Sequence, residues 1–235
     1  MQLPARHSAW IARCLGRGEL APLGPHDVAE LAALLGERTY RAGAVLFRVG
    51  EMPARVHVVR RGAVELSRQV GGRRVVLQVL RAGDVFGDVA LLVRMTEPFD
   101  ARALEESVVL SADSVALFGL LERRPRLAQR WLVSLAMRMA ATQARLVDLL
   151  AGGLEAQVAS LLTREAEEGV VRLAQSVIAE LLGARRTSVN RVLKRFEARG
   201  LVGLGYGQVE IVDAAGLLHA IADDVPATPA PSTPA

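Results

Sequence analysis

The residues best placed to do chemistry lie between Gln175 and Arg199. Gly183-Ala-Arg185 separates two short helical patterns, Gln175 to Leu182 and Arg186 to Arg199. Ile178, Ala179, Leu182, Val189, Val192 and Leu193 recur at helical spacing and form one internal apolar face. Small Ala179 lets the two helices approach closely, and Gly183 permits a left-handed turn between them. The spacing predicts a helix-turn-helix. Outside the apolar face the second helix presents Arg186, Thr187, Ser188, Asn190, Arg191, Lys194 and Arg195, side chains that hydrogen-bond phosphate oxygens and base edges. Arg195 and Arg199, late in that helix, suit solvent as well as they suit DNA. The 235-residue chain carries a net charge of +4, a weak signal at that length. Arg185 to Arg199, by contrast, holds six basic residues against Glu197. That local charge points to double-stranded DNA as a partner.

Other chemistries find little support. Cys14 is the single cysteine, which excludes a disulfide framework, a four-cysteine zinc site and a four-cysteine iron–sulfur cluster, and fits a reducing compartment. His7, His26, His57 and His219 are dispersed, and His57 lies inside a strand pattern as a structural residue. No Ser/His/Asp order, phosphate loop or metal-ligand spacing is visible, so the expectation is a non-enzyme with no metal. The 51% apolar content excludes a disordered chain. No run of about 18 uncharged apolar residues occurs, so no membrane span is expected. Met1 to Gly18 scatters arginines among small residues without the apolar stretch of a secretion signal, which makes the cytoplasm the default address.

These residues need elements to hold them. Asp27 to Gly36 has helical spacing, with Gly36 as a stop signal. From Arg41 to Val115 the pattern becomes short strands, at Val45–Phe47, Val56–Val59, Ala63–Ser67, Val75–Leu80 and Val108–Ser111. Turn signals separate them, Gly71-Gly72 as a hairpin, which predicts an antiparallel sandwich or barrel. One long helix is expected from about Leu120 to Leu150. Along it Ala128, Leu132, Leu135, Met139, Thr142, Leu146 and Leu149 alternate at steps of four and three, with Arg130, Arg138, Arg145 and Asp148 off the seam. The seam fits either a helix packed on its own sheet or a two-stranded coiled coil, hence a homodimer. Thr142, its one polar member, would set register or make a contact. Gly152-Gly153 breaks the helix and marks a domain boundary. After the helix-turn-helix, Leu201-Val202 and Val209 to Val212 flank a glycine-rich turn, the pattern of a wing. Pro226 to Ala235 is built of Ala, Pro, Thr and Ser alone, a disordered composition.

The order of these parts resembles the Crp/Fnr (cyclic-AMP receptor protein-like) family of transcription regulators. Three motifs carry the resemblance. Tyr40-Arg-Ala-Gly43 through Leu46-Phe-Arg-Val-Gly-Glu51 resembles the opening of the family's β-roll. Val58-Val-Arg-Arg-Gly62 with Gly83-Asp-Val-Phe-Gly-Asp-Val-Ala-Leu91 resembles its central and nucleotide-cassette strands. Ile178-Ala-Glu-Leu-Leu-Gly through Thr187-Ser-Val-Asn-Arg-Val-Leu-Lys-Arg-Phe-Glu-Ala-Arg-Gly-Leu201 resembles its DNA-binding helices. The resemblance implies an α+β fold: an N-terminal extension over 1–24, an antiparallel β-roll sensor over 25–119, a dimerisation helix over 120–151, a winged helix-turn-helix over 152–222 and a tail over 223–235. It implies a homodimer on a two-fold-symmetric operator, with RNA polymerase as a further partner. Base reading would fall on Arg186, Thr187 and Arg191, and phosphate contacts on Ser188, Gln175 and Ser176. Family members often carry Glu where Thr187 stands, so the operator sequence does not carry over. Arg185 stands where a Ser or Thr cap is common, and would exchange capping for a phosphate contact.

In cyclic-nucleotide-binding relatives a Gly-Glu pair holds the ribose and an Arg-Ser pair about ten residues on holds the cyclic phosphate. Here Gly87-Asp88 stands at the first pair and Glu97-Pro98 at the second. A carboxylate at Glu97 would repel a phosphate. Arg94 or Arg102 could supply the cation from a shifted loop, though neither has the expected register. The Thr-Ser pair that contacts adenine in relatives maps to Thr142 and Gln143. The resemblance therefore leaves three effector expectations open: cyclic AMP, another small effector, or a degenerate sensor with none. A non-DNA protein-interaction module is the remaining alternative, opposed by the arginine-rich second helix.

Overall fold

The computed structural model describes residues 23–222; Cys14, His7 and both chain ends lie outside them. They form two compact units divided between Met139 and Ala140.

The first unit opens with α1 (Pro25–Leu34). Pro25 fits the first helical turn, where no backbone donor is needed, and the Asp27 carboxylate accepts the Gly24 amide at 3.1 Å. Gly36, expected to stop this helix, instead opens the first strand, and α1 ends at Leu34. Eight strands follow: β1 (Gly36–Tyr40), β2 (Val45–Phe47), β3 (Arg55–Arg61), β4 (Val64–Val70), β5 (Arg73–Leu80), β6 (Val85–Phe86), β7 (Asp100–Ala103) and β8 (Ser107–Asp113). All pair antiparallel, in two four-stranded sheets ordered β1-β8-β3-β6 and β2-β7-β4-β5. Gly71-Gly72 turns β4 into β5, as the spacing predicts. Val59, Val64, Leu80, Phe86, Ala101 and Val109 form one buried core cluster. Val56, Val58 and Leu110 instead pack with Val28 and Leu31 of α1 and with Leu117, Leu120 and Leu127.

Three of these strands carry no sequence signal of their own. β1, Gly-Glu-Arg-Thr-Tyr, is a polar edge strand, and β7, Asp-Ala-Arg-Ala, lacks the β-branched residues that mark strands. β6 is two residues long. Between β6 and β7 stands the one-turn helix α2 (Asp88–Leu92).

The long helix expected from Leu120 is divided. α3 (Ser114–Arg123) begins where the Asp113 carboxylate accepts the Val115 and Ala116 amides at 3.0 and 3.3 Å. α4 (Pro125–Ala151) follows after Arg124. Pro125 disfavours helical geometry at the residue before it, and Arg124 sits at φ −127°, ψ 81°. Its guanidinium then clasps Glu30 of α1 at 2.7 and 2.8 Å.

The second unit contains α5 (Leu154–Glu165), β9 (Val170–Val171), α6 (Gln175–Leu181), α7 (Arg186–Ala198), β10 (Val202–Gly205), β11 (Gln208–Ile211) and α8 (Ala214–Ala222). The wing is a three-stranded sheet ordered β10-β11-β9, one strand more than the sequence suggests. The helix break at Gly152-Gly153 is present and clamped. The Gln157 amide donates to the Leu149 and Gly152 carbonyls, both at 2.9 Å. Asp148 accepts from Ser160 at 2.6 Å and from Arg164 at 3.0 Å.

Candidate nucleic-acid interface and effector pocket

In α7, Val189, Val192, Leu193 and Phe196 are fully buried, which turns the opposite face outward. Arg185, Arg186, Thr187, Asn190 and Arg191 are exposed there, with Ser188 half-buried. Gln175 and Ser176, at the start of α6, are half-buried. Arg185 occupies the cap position of α7 and no side chain caps this helix. Its first-turn amides and two adjacent guanidiniums together suit an anionic oxygen. Farther along, Lys194 pairs with Glu197 at 2.8 Å, and Arg195 pairs with Glu155 of α5 at 3.0 Å. The free cationic reach of the helix therefore concentrates in its first two turns.

In the first unit Gly87 leads into α2 with φ 78°, and a Cβ there would stand 3.1 Å from the Arg55 carbonyl and 3.2 Å from the His57 ring. Glycine is what this close approach allows. Asp88 is 1% exposed. Its carboxylate accepts the Trp131 indole N–H at 3.1 Å and both terminal nitrogens of Arg138, Nη1 at 3.1 Å and Nη2 closer still. Arg138 Nη1 also donates to the Val85 carbonyl at 2.6 Å. Asp88 thus latches α2 to α4 through two side chains seven residues apart, hence on one helix face. Sequence reasoning placed Arg138 merely off the seam; its heptad spacing from Trp131 was the available signal.

Glu97 is 5% exposed and borders a cavity of about 460 Å³ between the sheets, lined also by Tyr40, Phe47, Glu51, Arg55, His57 and Ser111. His57 shares a 2.8 Å hydrogen bond with Ser111 and stacks on Phe86, ring centres 5.1 Å apart. That confirms a satisfied structural histidine. Burial, then the nearby Arg55, push its imidazole down to about 4. Burial, then Asp88 and Glu51, lift the Glu97 carboxyl to about 7. Neither group suits a cyclic phosphate, and no cation stands at the Glu97-Pro98 position. Arg94, at φ 54°, and Arg102 on β7 both have exposed side chains. Thr142 and Gln143 lie on the part of α4 that belongs to the second unit, with exposed side chains.

The two shifts act on stability in opposite directions. The raised Glu97 carboxyl favours folding most below its ordinary value of 4.5, and that contribution is lost as pH rises through about 7. The lowered His57 imidazole contributes above 6.5, and this is lost as pH falls through about 4. Glu97→Gln is expected to gain on the order of 1–2 kcal/mol over the wild type at about pH 8 and almost nothing near pH 4. Urea unfolding at the two pH values checks this; an equal difference at both would show that the carboxyl does not titrate between them.

A β-roll, a long helix and a winged helix-turn-helix with an open cationic face define a sensor joined to a DNA reader. Residues 37–124 match the cyclic nucleotide-binding domain and residues 156–220 the Crp-like helix-turn-helix domain. The chain is 43% identical over 212 residues to the HTH-type transcriptional regulator Cmr of Mycobacterium tuberculosis, covering 90% of this chain and 87% of that one. It is 30% identical to the Cyclic AMP receptor protein of Thermus thermophilus, covering 85% and 94%. The structure of FixK2 from Bradyrhizobium japonicum has the same fold, with a TM-score of 0.73 at 22% identity over 83% and 99%. The chain belongs to the Crp/Fnr family of transcription regulators. No helix among the described residues is long and apolar enough to cross a membrane.

Proposed function

We propose that this regulator works as a homodimer on a two-fold-symmetric operator, with an effector state of the β-roll setting its DNA affinity. The observation that carries the reading is the outward face of α7, with Arg186, Thr187 and Arg191 exposed above a fully buried Val189–Phe196 face. Arg186 and Arg191 can each bond bidentately to guanine, and Thr187 to a base edge. Arg185, Ser188, Asn190, Gln175, Ser176 and Lys194 surround them as phosphate-positioning groups. RNA polymerase is the further partner that such a regulator would contact on promoter DNA.

The dimer reading is supported by α4. Leu132, Met139 and Leu146 of the seam are 66%, 61% and 54% exposed, so the chain's own fold does not cover them. A second copy of the same helix would, at heptad spacing, with Thr142 facing its counterpart. Asp88 and Arg138 tie the β-roll to the first part of this helix. Cyclic AMP itself finds poor support, because Asp88 is engaged by Arg138 and an acid stands where a phosphate needs a cation.

Sedimentation equilibrium tests the dimer. The wild type is expected at twice the chain mass, and Leu132→Asp with Met139→Asp at the monomer mass with salt-dependent operator affinity down at least tenfold. A double variant that stays dimeric, or a monomeric wild type with full operator affinity, would overturn the reading.

A further inference from the structure

We propose that the cavity between the two sheets of the β-roll binds a small organic cation, an amine or guanidine with an apolar body, its charge seated on the carboxylate of Glu97. Among the described residues Glu97 makes no side-chain hydrogen bond or ion pair, although it is 5% exposed and borders the cavity. Leaving an ionised carboxylate buried without a counter-charge is costly, and proteins normally pair such groups. The nearby acids differ in this respect. Asp88 has Arg138, and Glu37 has Arg60. Glu51, which also lines the cavity, adds negative potential beside Glu97, whose carboxyl is held above its ordinary value by burial first and then by Asp88 and Glu51.

The rest of the wall suits the body of such a ligand. Phe47, Tyr40 and the neutral ring of His57 supply apolar and aromatic surface. Aromatic faces attract cations as well as apolar groups. A volume of about 460 Å³ accommodates a small molecule. Arg38 and Arg55 also line the cavity with exposed side chains; Arg38 lies over the Tyr40 ring, 5.2 Å from its centre, Arg55 lowers His57, and neither pairs with Glu97.

That such a ligand acts as the effector rests on the proposed function; that it binds does not. Calorimetry on the full-length protein separates the two. The probes are 2-phenylethylamine, its neutral isostere 2-phenylethanol, agmatine and cyclic AMP. One equivalent of an amine or guanidine probe per chain is expected, with 2-phenylethanol at least tenfold weaker than 2-phenylethylamine. Glu97→Gln should lose at least tenfold in amine affinity, while Glu97→Asp, the second variant, keeps part of it. No binding by either cation, equal binding of amine and alcohol, or undiminished binding by a folded Glu97→Gln would overturn the site. Binding that leaves operator affinity unchanged would uphold the site and overturn its role as effector.

Discussion

Replacing Arg186 and Arg191 together by alanine is expected to abolish sequence discrimination while leaving a folded protein that still binds DNA non-specifically. Both side chains are exposed, so their loss leaves the buried face of Val189, Val192, Leu193 and Phe196 intact. Each bidentate contact to guanine discriminates by about 1–3 kcal/mol, so two such contacts would be worth roughly 30- to 3 × 10⁴-fold in operator affinity. Arg185, exposed at the start of α7, would remain for phosphate, which would keep a salt-dependent residual affinity. Titrating the variant against operator and shuffled duplexes at one salt concentration checks this. Retained preference for the operator would place base reading elsewhere.

Arg138→Ala is the second large effect, and it acts on stability. Asp88 is 1% exposed and Arg138 supplies two of the nitrogens on its carboxylate. Removing the cation strands a buried charge, which costs about 3–5 kcal/mol where the site stays dry. Trp131 alone would remain as donor, at 3.1 Å. The β-roll's unfolding transition should move to lower denaturant by that amount. The double variant Asp88→Ala, Arg138→Ala should recover much of it, because no unpaired carboxylate is then left. If Arg138→Ala costs less than about half a kcal/mol, the latch between α2 and α4 is not part of what holds this unit together.

The two halves of the chain were not equally legible in sequence. Helix-turn-helix spacing is local, so Ile178, Val189, Val192 and Leu193 mark their own buried face, and α6 and α7 form within a residue of expectation. In the β-roll the long strands announce themselves by β-branched residues, as in Val56–Val59. β1 and β7 do not, because their place is set by partners distant in sequence: Arg38 pairs with Val109, and Ala101 with Leu66. The division of the long helix had a local cause, Pro125, that the heptad pattern overrode in the reading. The site was legible in part for the same reason. Gly87, Asp88 and Glu97 were singled out by position, but Arg138 and Trp131 are some 40 to 50 residues away from Asp88, and nothing at Asp88 points to them. Nor does spacing show that Glu97 is buried beside a cavity; that follows from how the two sheets close.

Selection of bound sequences from a random pool of duplex DNA by the full-length protein tests base reading by a symmetric dimer directly. A two-fold-symmetric sequence is expected, its half-sites centred about one helical turn apart, roughly 10 base pairs, each with a guanine whose selection is lost in the Arg186→Ala or Arg191→Ala protein. A single unsymmetrical site, or a pool left unenriched while binding still falls with salt, would contradict this expectation.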